Sequence, residues 1–268
     1  GLRGSERWMM IDLGITFGDG SLPGVEVMMP DPTFIEERLD QLEALVLTHA
    51  HEDHLGAVAH LWRRLKCPIY ATPFTADILG HKLREAGLEG DVDVTTIPLG
   101  GKFTIGPFEL ELITLTHSIP EPNAIAIRTP VGTVLHTGDW KFDPDPVVGE
   151  VSDEDALRQL GEEGTLAIIC DSTNVFTSGT SGSEGDLLKS LTDLISTLKN
   201  RVVVTCFASN VAVLKPSPPL PPPTIGMWFL PVGRFGGFRK SGGPMAVFRI
   251  RLLFWRKIKP DSCRAIKR

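Results

Sequence analysis

Apolar residues in this chain fall in short runs whose spacing changes along its length. Residues 8–13 (Trp-Met-Met-Ile-Asp-Leu) read as a buried strand that enters a turn-rich stretch over 14–24. Residues 42–48 form a second apolar strand, and 68–71 a third, short one. Helical spacing marks 55–65 and about 73–86. The period then shortens. Residues 92–97, 102–105, 108–115, 123–129 and 131–136 are β-rich runs separated by Gly or Pro. The runs 125–129 and 133–136 flank Pro130-Val131-Gly132, a hairpin signal. After an apolar strand at 166–170, Leu187, Leu188, Leu191, Leu194, Ile195 and Leu198 recur at helical spacing over 184–199, and 201–206 is again a strand. Strands mixed with helices predict an α/β fold of sheets covered by helices. Leu191 and its neighbours read as the core face of their helix, not as a substrate groove.

Beyond about residue 213 this grammar fails. The segment 216–223 is polyproline-like, and the remainder of the chain is rich in Arg, Gly, Phe and Trp with no period. From Asn210 onward there are 12 Lys/Arg and one acid, Asp261, whereas the first 209 residues carry 15 Lys/Arg against 32 Asp/Glu. A basic arm contacting nucleic acid is one reading of this tail. Sequence out of frame with the body is the preferred one. Four cysteines (Cys67, Cys170, Cys206, Cys263) show no CxxC pairing, and Cys170 and Cys206 are expected as buried, reduced thiols. With no apolar run of membrane-spanning length and no apolar signal segment at the start, the expected setting is the reducing cytoplasm.

The chemistry concentrates in Thr48-His49-Ala50-His51-Glu52-Asp53-His54, directly after an apolar strand. Imidazole and carboxylate at this density are hard to bury without partners and are ordinary ligands for zinc and its neighbours. Alternation puts His49 and His51 on one side of an extended strand end. Asp53 and His54 fall where the chain turns into a helix, so one loop can feed two adjacent metals. His117 and Asp139 each come after a strand and are candidates to complete the site, since α/β sheets gather their sites at strand C-termini. His136 reads as a satisfied sheet histidine, and His60 and His81 as solvated or half-buried helix residues.

Asp12, the His49–His54 cluster, His117 and Asp139 together resemble the metallo-β-lactamase superfamily. Within it, the wording of residues 8–18, His117-Ser-Ile-Pro-Glu-Pro-Asn, His136-Thr-Gly-Asp-Trp-Lys-Phe-Asp, Asp171-Ser-Thr-Asn and Phe207-Ala-Ser-Asn resembles the ribonuclease J family of β-CASP nucleases, over about residues 7–213. The resemblance implies an αββα metallo-β-lactamase sandwich over 1–173, lacking the family's first strand. It also implies the start of an inserted β-CASP domain over 174–213, with the atypical tail 214–268 after it. It further implies that His49, His51 and His117 bind one metal, Asp53 and His54 the second, and that Asp139 bridges both. Asp12 would support the site from behind, Asp171 would be an acidic residue near the metals, and Ser209 and Asn210 would lie near the RNA backbone. The catalytic set so implied is Asp53, His54, Asp139 and Asp171. The cofactors would be two divalent ions, zinc first, with magnesium or manganese as alternatives. The implied activity is hydrolysis of RNA phosphodiesters, endonucleolytic and 5′-to-3′ exonucleolytic, in RNA processing and decay.

Departures accompany these matches. The family brings a further metal-ligating His after its β-CASP domain, and this chain has no His after His136. A weakened second metal and reduced turnover are therefore expected, and homo-oligomers are expected of full-length relatives. Two other readings stand beside the RNase. One is a different hydrolase on the same scaffold, such as a glyoxalase II-like thioesterase or a lactonase. The other is an inactive truncated product that binds metal.

Overall fold

The computed structural model describes residues 6–18 and 20–198, and the backbone of 202–207 and 227–232. Strand β1 (Trp8–Ile11) is followed by the two-residue strands β2 (Thr16–Phe17) and β3 (Val27–Met28), which pair as a hairpin, and by helix α1 (Thr33–Glu36). Strand β4 (Leu42–Val46) leads into helices α2 (Glu52–Leu55) and α3 (Val58–Leu65). Strand β5 (Ile69–Ala71), helix α4 (Pro73–Glu85) and strand β6 (Val94–Thr96) complete a four-stranded sheet in the order β1-β4-β5-β6, all parallel. Strands β7 (Lys102–Ile105), β8 (Phe108–Thr114), β9 (Asn123–Thr129) and β10 (Gly132–His136) then run antiparallel. Helix α5 (Glu154–Glu163) crosses back to β11 (Ala167–Ile169), which pairs parallel with β10 at the edge of this second sheet. Helix α6 (Glu184–Thr197) comes next, and β12 (Val202–Phe207) pairs parallel with β13 (Met227–Val232).

Strand alternation builds the layers. Leu45 and Leu47 point to one side of the first sheet, where they pack with Leu55, Val58, Leu61, Phe74 and Leu79 of the helices. Ala44 and Val46 point to the other side and meet Leu110, Leu112, Ile125 and Ile127 of the second sheet. The outward residues of that sheet, Ile113, Ala124, Ala126 and Leu135, pack against Leu160 of α5. The period of 2 along each strand thus feeds three apolar interfaces, and the result is an αββα sandwich. Helix starts are set by their caps. Pro73 occupies the first turn of α4, where a missing N–H costs nothing, and the Asp153 carboxylate accepts from the Ala156 N–H (2.9 Å) to open α5.

Three expectations need correction. The helix expected over 55–65 is two helices, because the segment after β1 docks on its start. The Leu13 N–H donates to the His54 carbonyl and the Ile15 N–H to the Glu52 carbonyl, while the Ala57 N–H donates to the Leu13 carbonyl. The His54 carbonyl and the Ala57 N–H are thereby withdrawn from a continuous helix, while the Glu52 carbonyl still accepts from the Gly56 N–H. Second, Cys170 is exposed, not buried, as are Leu166, Ile168 and Ile169. An edge strand has a neighbour on one side only, and among the described residues no helix covers β11. Third, Leu187 and Leu194 of α6 and Leu198 just past its end are exposed, and only Ile195 on that face is buried among the described side chains. The side chain of Cys206, Ser209, Asn210 and most of the tail lie outside the described residues.

Candidate metal centre

Asp12 ends β1 with a positive φ of 60°, a left-handed conformation that aspartate tolerates better than most residues. This turn aims its carboxylate sideways at the loop after β4. One oxygen accepts from the Thr48 N–H (2.8 Å), and the other accepts from the Thr48 hydroxyl (2.8 Å) and from His54 Nδ1 (2.7 Å). The Thr48 hydroxyl has given its proton to Asp12, so it receives one from His49 Nδ1 at 3.0 Å. His49 is thereby left with an unprotonated Nε2 facing inward, the arrangement outer partners impose on metal-binding imidazoles, while Asp12 holds a proton on His54 Nδ1 and leaves His54 Nε2 facing Asp139.

Gly14 lets β1's continuation reach the ligand helix. A Cβ there would lie 1.7 Å from the Asp53 carbonyl oxygen, so no other residue fits without moving the loop. On the far side of α2, Lys82 of α4 pairs with both Glu52 oxygens (2.7 and 2.9 Å) and fixes the turn that carries Asp53 and His54.

The second sheet supplies the remaining groups. His117 comes after β8, and its loop is held by Glu121, whose carboxylate accepts from the Phe74 N–H (2.8 Å) in the first turn of α4. Asp139 comes after β10 through Gly138, whose φ of 57° brings the backbone against the Thr48 side chain, 3.1 Å from where a Cβ would sit. The Asp139 oxygens face different neighbours: Oδ1 lies 3.3 Å from His54 Nε2, and Oδ2 lies 3.7 Å from His117 Nε2.

Two ligand groups result, each with its donor atoms within 4.8 Å of one another: His49, His51, His117 and Asp139, and Asp53, His54 and Asp139. In the first, His51 Nδ1 lies 3.0 Å from His49 Nε2 and 3.1 Å from His117 Nε2. Tetrahedral ligands held about 2.0–2.1 Å from zinc are separated by roughly 3.3 Å, so the convergence of three imidazole nitrogens suits a cation between them. Electrostatics agrees. Burial, reinforced by the neighbouring rings, pushes His49 far down and His51 down to about 4, and burial lowers His117, so these rings are neutral and able to ligate. Burial also opposes charge on His54, but its bonds to Asp12 and Asp139 outweigh that and hold it up at about 10. A proton thus stands on His54 where a cation would otherwise answer the two carboxylates. Asp139 is lowered, first by its bond to His54. The donor set fits divalent metal ions.

Other expected residues lie apart. Asp171 belongs to neither group, and its Oδ1 accepts from the Thr173 N–H (2.9 Å) and hydroxyl (2.6 Å). His136 accepts from the Gly138 N–H (3.1 Å), a satisfied sheet histidine; His60 is exposed, and His81 is half-buried 4.0 Å from Asp77. Sequence reasoning assigned no role to Thr48, which sets the His49 tautomer, or to Asp143. A hydroxyl immediately before the first His, and an acid closing the Asp139 segment between Phe142 and Pro144, were the available signals.

Residues 2–204 match the sequence profile of the metallo-beta-lactamase superfamily. The chain belongs to that superfamily. It is 45% identical over 215 residues to the ribonuclease J of Sinorhizobium meliloti, a match covering 80% of this chain and 38% of the relative. It is 39% identical over 208 residues to ribonuclease J of Corynebacterium glutamicum (77% and 29% covered), and 36% identical over 211 residues to ribonuclease J 1 of Streptococcus pyogenes (79% and 38% covered). The chain therefore spans between 29% and 38% of the length of these relatives. Among the described residues, no helix is long and apolar enough to cross a membrane.

Proposed function

We propose that this chain carries the metal-binding part of a ribonuclease J-like enzyme that hydrolyses RNA phosphodiesters. The observation that carries the reading is the pair of ligand groups sharing Asp139, in a chain 45% identical to a protein named ribonuclease J. In this reading residues 1–173 are the catalytic sandwich and 174–213 open a second domain containing α6.

His49, His51 and His117 would hold one zinc ion, Asp53 and His54 the other, and Asp139 would serve both groups. Bound divalent ions would supply Lewis acidity toward a phosphodiester and a lowered pKa for water. The chain's own residues prepare for this. Thr48 keeps the proton of His49 on Nδ1, so its Nε2 lone pair faces the site, and Asp12 holds one proton of His54 on Nδ1, so that loss of the other to solvent on metal binding would free Nε2. Asp53 is exposed, at the open side of the site where a polymer backbone can approach. Asp171 and the segment with Ser209 and Asn210 are assigned to the substrate side of the centre by the same reading.

The test is single-turnover cleavage of 5′-labelled single-stranded RNA by the zinc-loaded chain, with a thioester run in parallel. Metal-dependent RNA cleavage leaving 5′-phosphates, lost with chelator and in Asp139→Ala, is expected. A chain that holds two zinc ions, hydrolyses the thioester and leaves RNA intact would overturn the proposal.

A further inference from the structure

Asp143 lies four residues past Asp139, and its side chain has no exposed surface. Its contacts run in three directions. Its N–H donates to the Thr116 hydroxyl (3.0 Å), and Thr116 is the residue before His117. Thr116 is further tied to the Asp139 segment, since the Lys141 N–H donates to the Thr116 carbonyl (3.1 Å) and the Thr116 hydroxyl donates to the Lys141 carbonyl. The Asp143 carboxylate accepts from Lys141 Nζ (3.0 Å), from the Asp145 N–H (3.0 Å) and from the Glu184 N–H (2.9 Å). Glu184 is the first residue of α6, and its own carboxylate lies 3.3 Å from Lys141 Nζ. Ser183, which caps α6 by accepting from the Gly185 N–H (3.1 Å), donates its hydroxyl to the Asp145 carbonyl (2.9 Å).

A buried carboxylate of this kind is costly unless every lone pair is used. Burial alone would raise its pKa, but the bonds from Glu184, Lys141 and Asp145 outweigh burial and hold it far below the usual carboxylate range. The charge therefore persists, and it draws the start of α6, the Asp139 segment and the His117 segment to one point.

We propose that Asp143 is a positioning residue through which the docking of helix α6 fixes the reach of Asp139 and His117 toward the divalent ions. The helix that opens the second structural unit would then govern the ligand geometry of the first, with no atom of its own in the site. This inference rests on the two-ion reading above.

Replacing Glu184 separates this role from general stability. Residue 184 is the first helical position, where proline is well accepted, and Ser183 before it is already extended (φ −72°, ψ 149°), as a residue preceding proline prefers. Glu184→Pro therefore removes the N–H that Asp143 accepts while leaving α6 free to form. Glu184→Ala removes only the carboxylate, and Ile195→Ala weakens α6 from its buried face without touching Asp143. Binding of Zn²⁺ and Co²⁺ to each protein, read by chelator competition and by the visible spectrum of the cobalt form, is the measurement. Expected are about tenfold weaker binding and an altered cobalt spectrum in Glu184→Pro and in Asp143→Asn, with wild-type values in Ile195→Ala and values nearer wild type in Glu184→Ala. If the wild type loads two ions and Glu184→Pro matches it in affinity and spectrum, the inference is overturned and the two-ion reading stands. If the wild type takes up no ions, both are overturned.

Discussion

At the scale of single residues, the site depends on groups that never face a ligand. Asp12 is the clearest case, because one carboxylate fixes the Thr48 backbone, the Thr48 hydroxyl and the His54 ring. Asp12→Asn keeps the shape but offers an N–H where His54 needs an acceptor. Metal affinity should fall about 10–100-fold, measured by competition with a chromophoric chelator. Gly14 fails differently. A methyl group there meets backbone, not a movable side-chain end, so Gly14→Ala should cost about 2–3 kcal/mol in urea titration and displace Asp53. The histidines and carboxylates were legible in the sequence because such residues crowd together for few other reasons. Thr48 and Asp143 were not. A threonine and an aspartate are common everywhere, and their importance comes from partners 36 and 41 residues away.

At the scale of elements, the strands were largely legible, since alternation and the Pro130-Val131-Gly132 hairpin both survive in the structure. What the pattern could not give was the break between α2 and α3. That break is made by the backbone of residues 13–15, which has no signature within the helix itself. Cross-strand charge is a further element-level feature. Glu111 on β8 meets Arg128 on β9 at 2.7 Å and Lys102 on β7 at 3.0 Å. Burial would raise the Glu111 pKa, but these two cations outweigh it and lower it. A depressed folded value means the stabilisation is present above the ordinary carboxylate pKa and is lost as pH falls through the folded one. Glu111→Gln should therefore be less stable than wild type by about 1 kcal/mol near neutrality, and the gap should close in acid. Melting curves across pH read both. A gap that widened in acid would contradict the argument.

At the scale of the whole molecule, the described residues leave large apolar side chains exposed. Leu166, Ile168 and Ile169 near the β11 edge and Phe176 beyond it are exposed, as are Leu187 and Leu194 of α6. Surface of that kind recruits partners or drives self-association. The chain should bind a hydrophobic dye and associate at raised concentration, and Ile168→Thr with Phe176→Ser should reduce both. Sedimentation together with dye fluorescence measures this.

The two ligand groups also straddle a seam. Asp53, His54, His49 and His51 hang from the parallel sheet, whereas His117 and Asp139 hang from the second, mixed one. A cation held between them would act as a rivet through the two halves of the sandwich, binding the native state and not the unfolded chain. Thermal resistance should then climb with free zinc concentration, even in a variant with no turnover. The same atoms that make a reaction centre would hold the body of the protein shut.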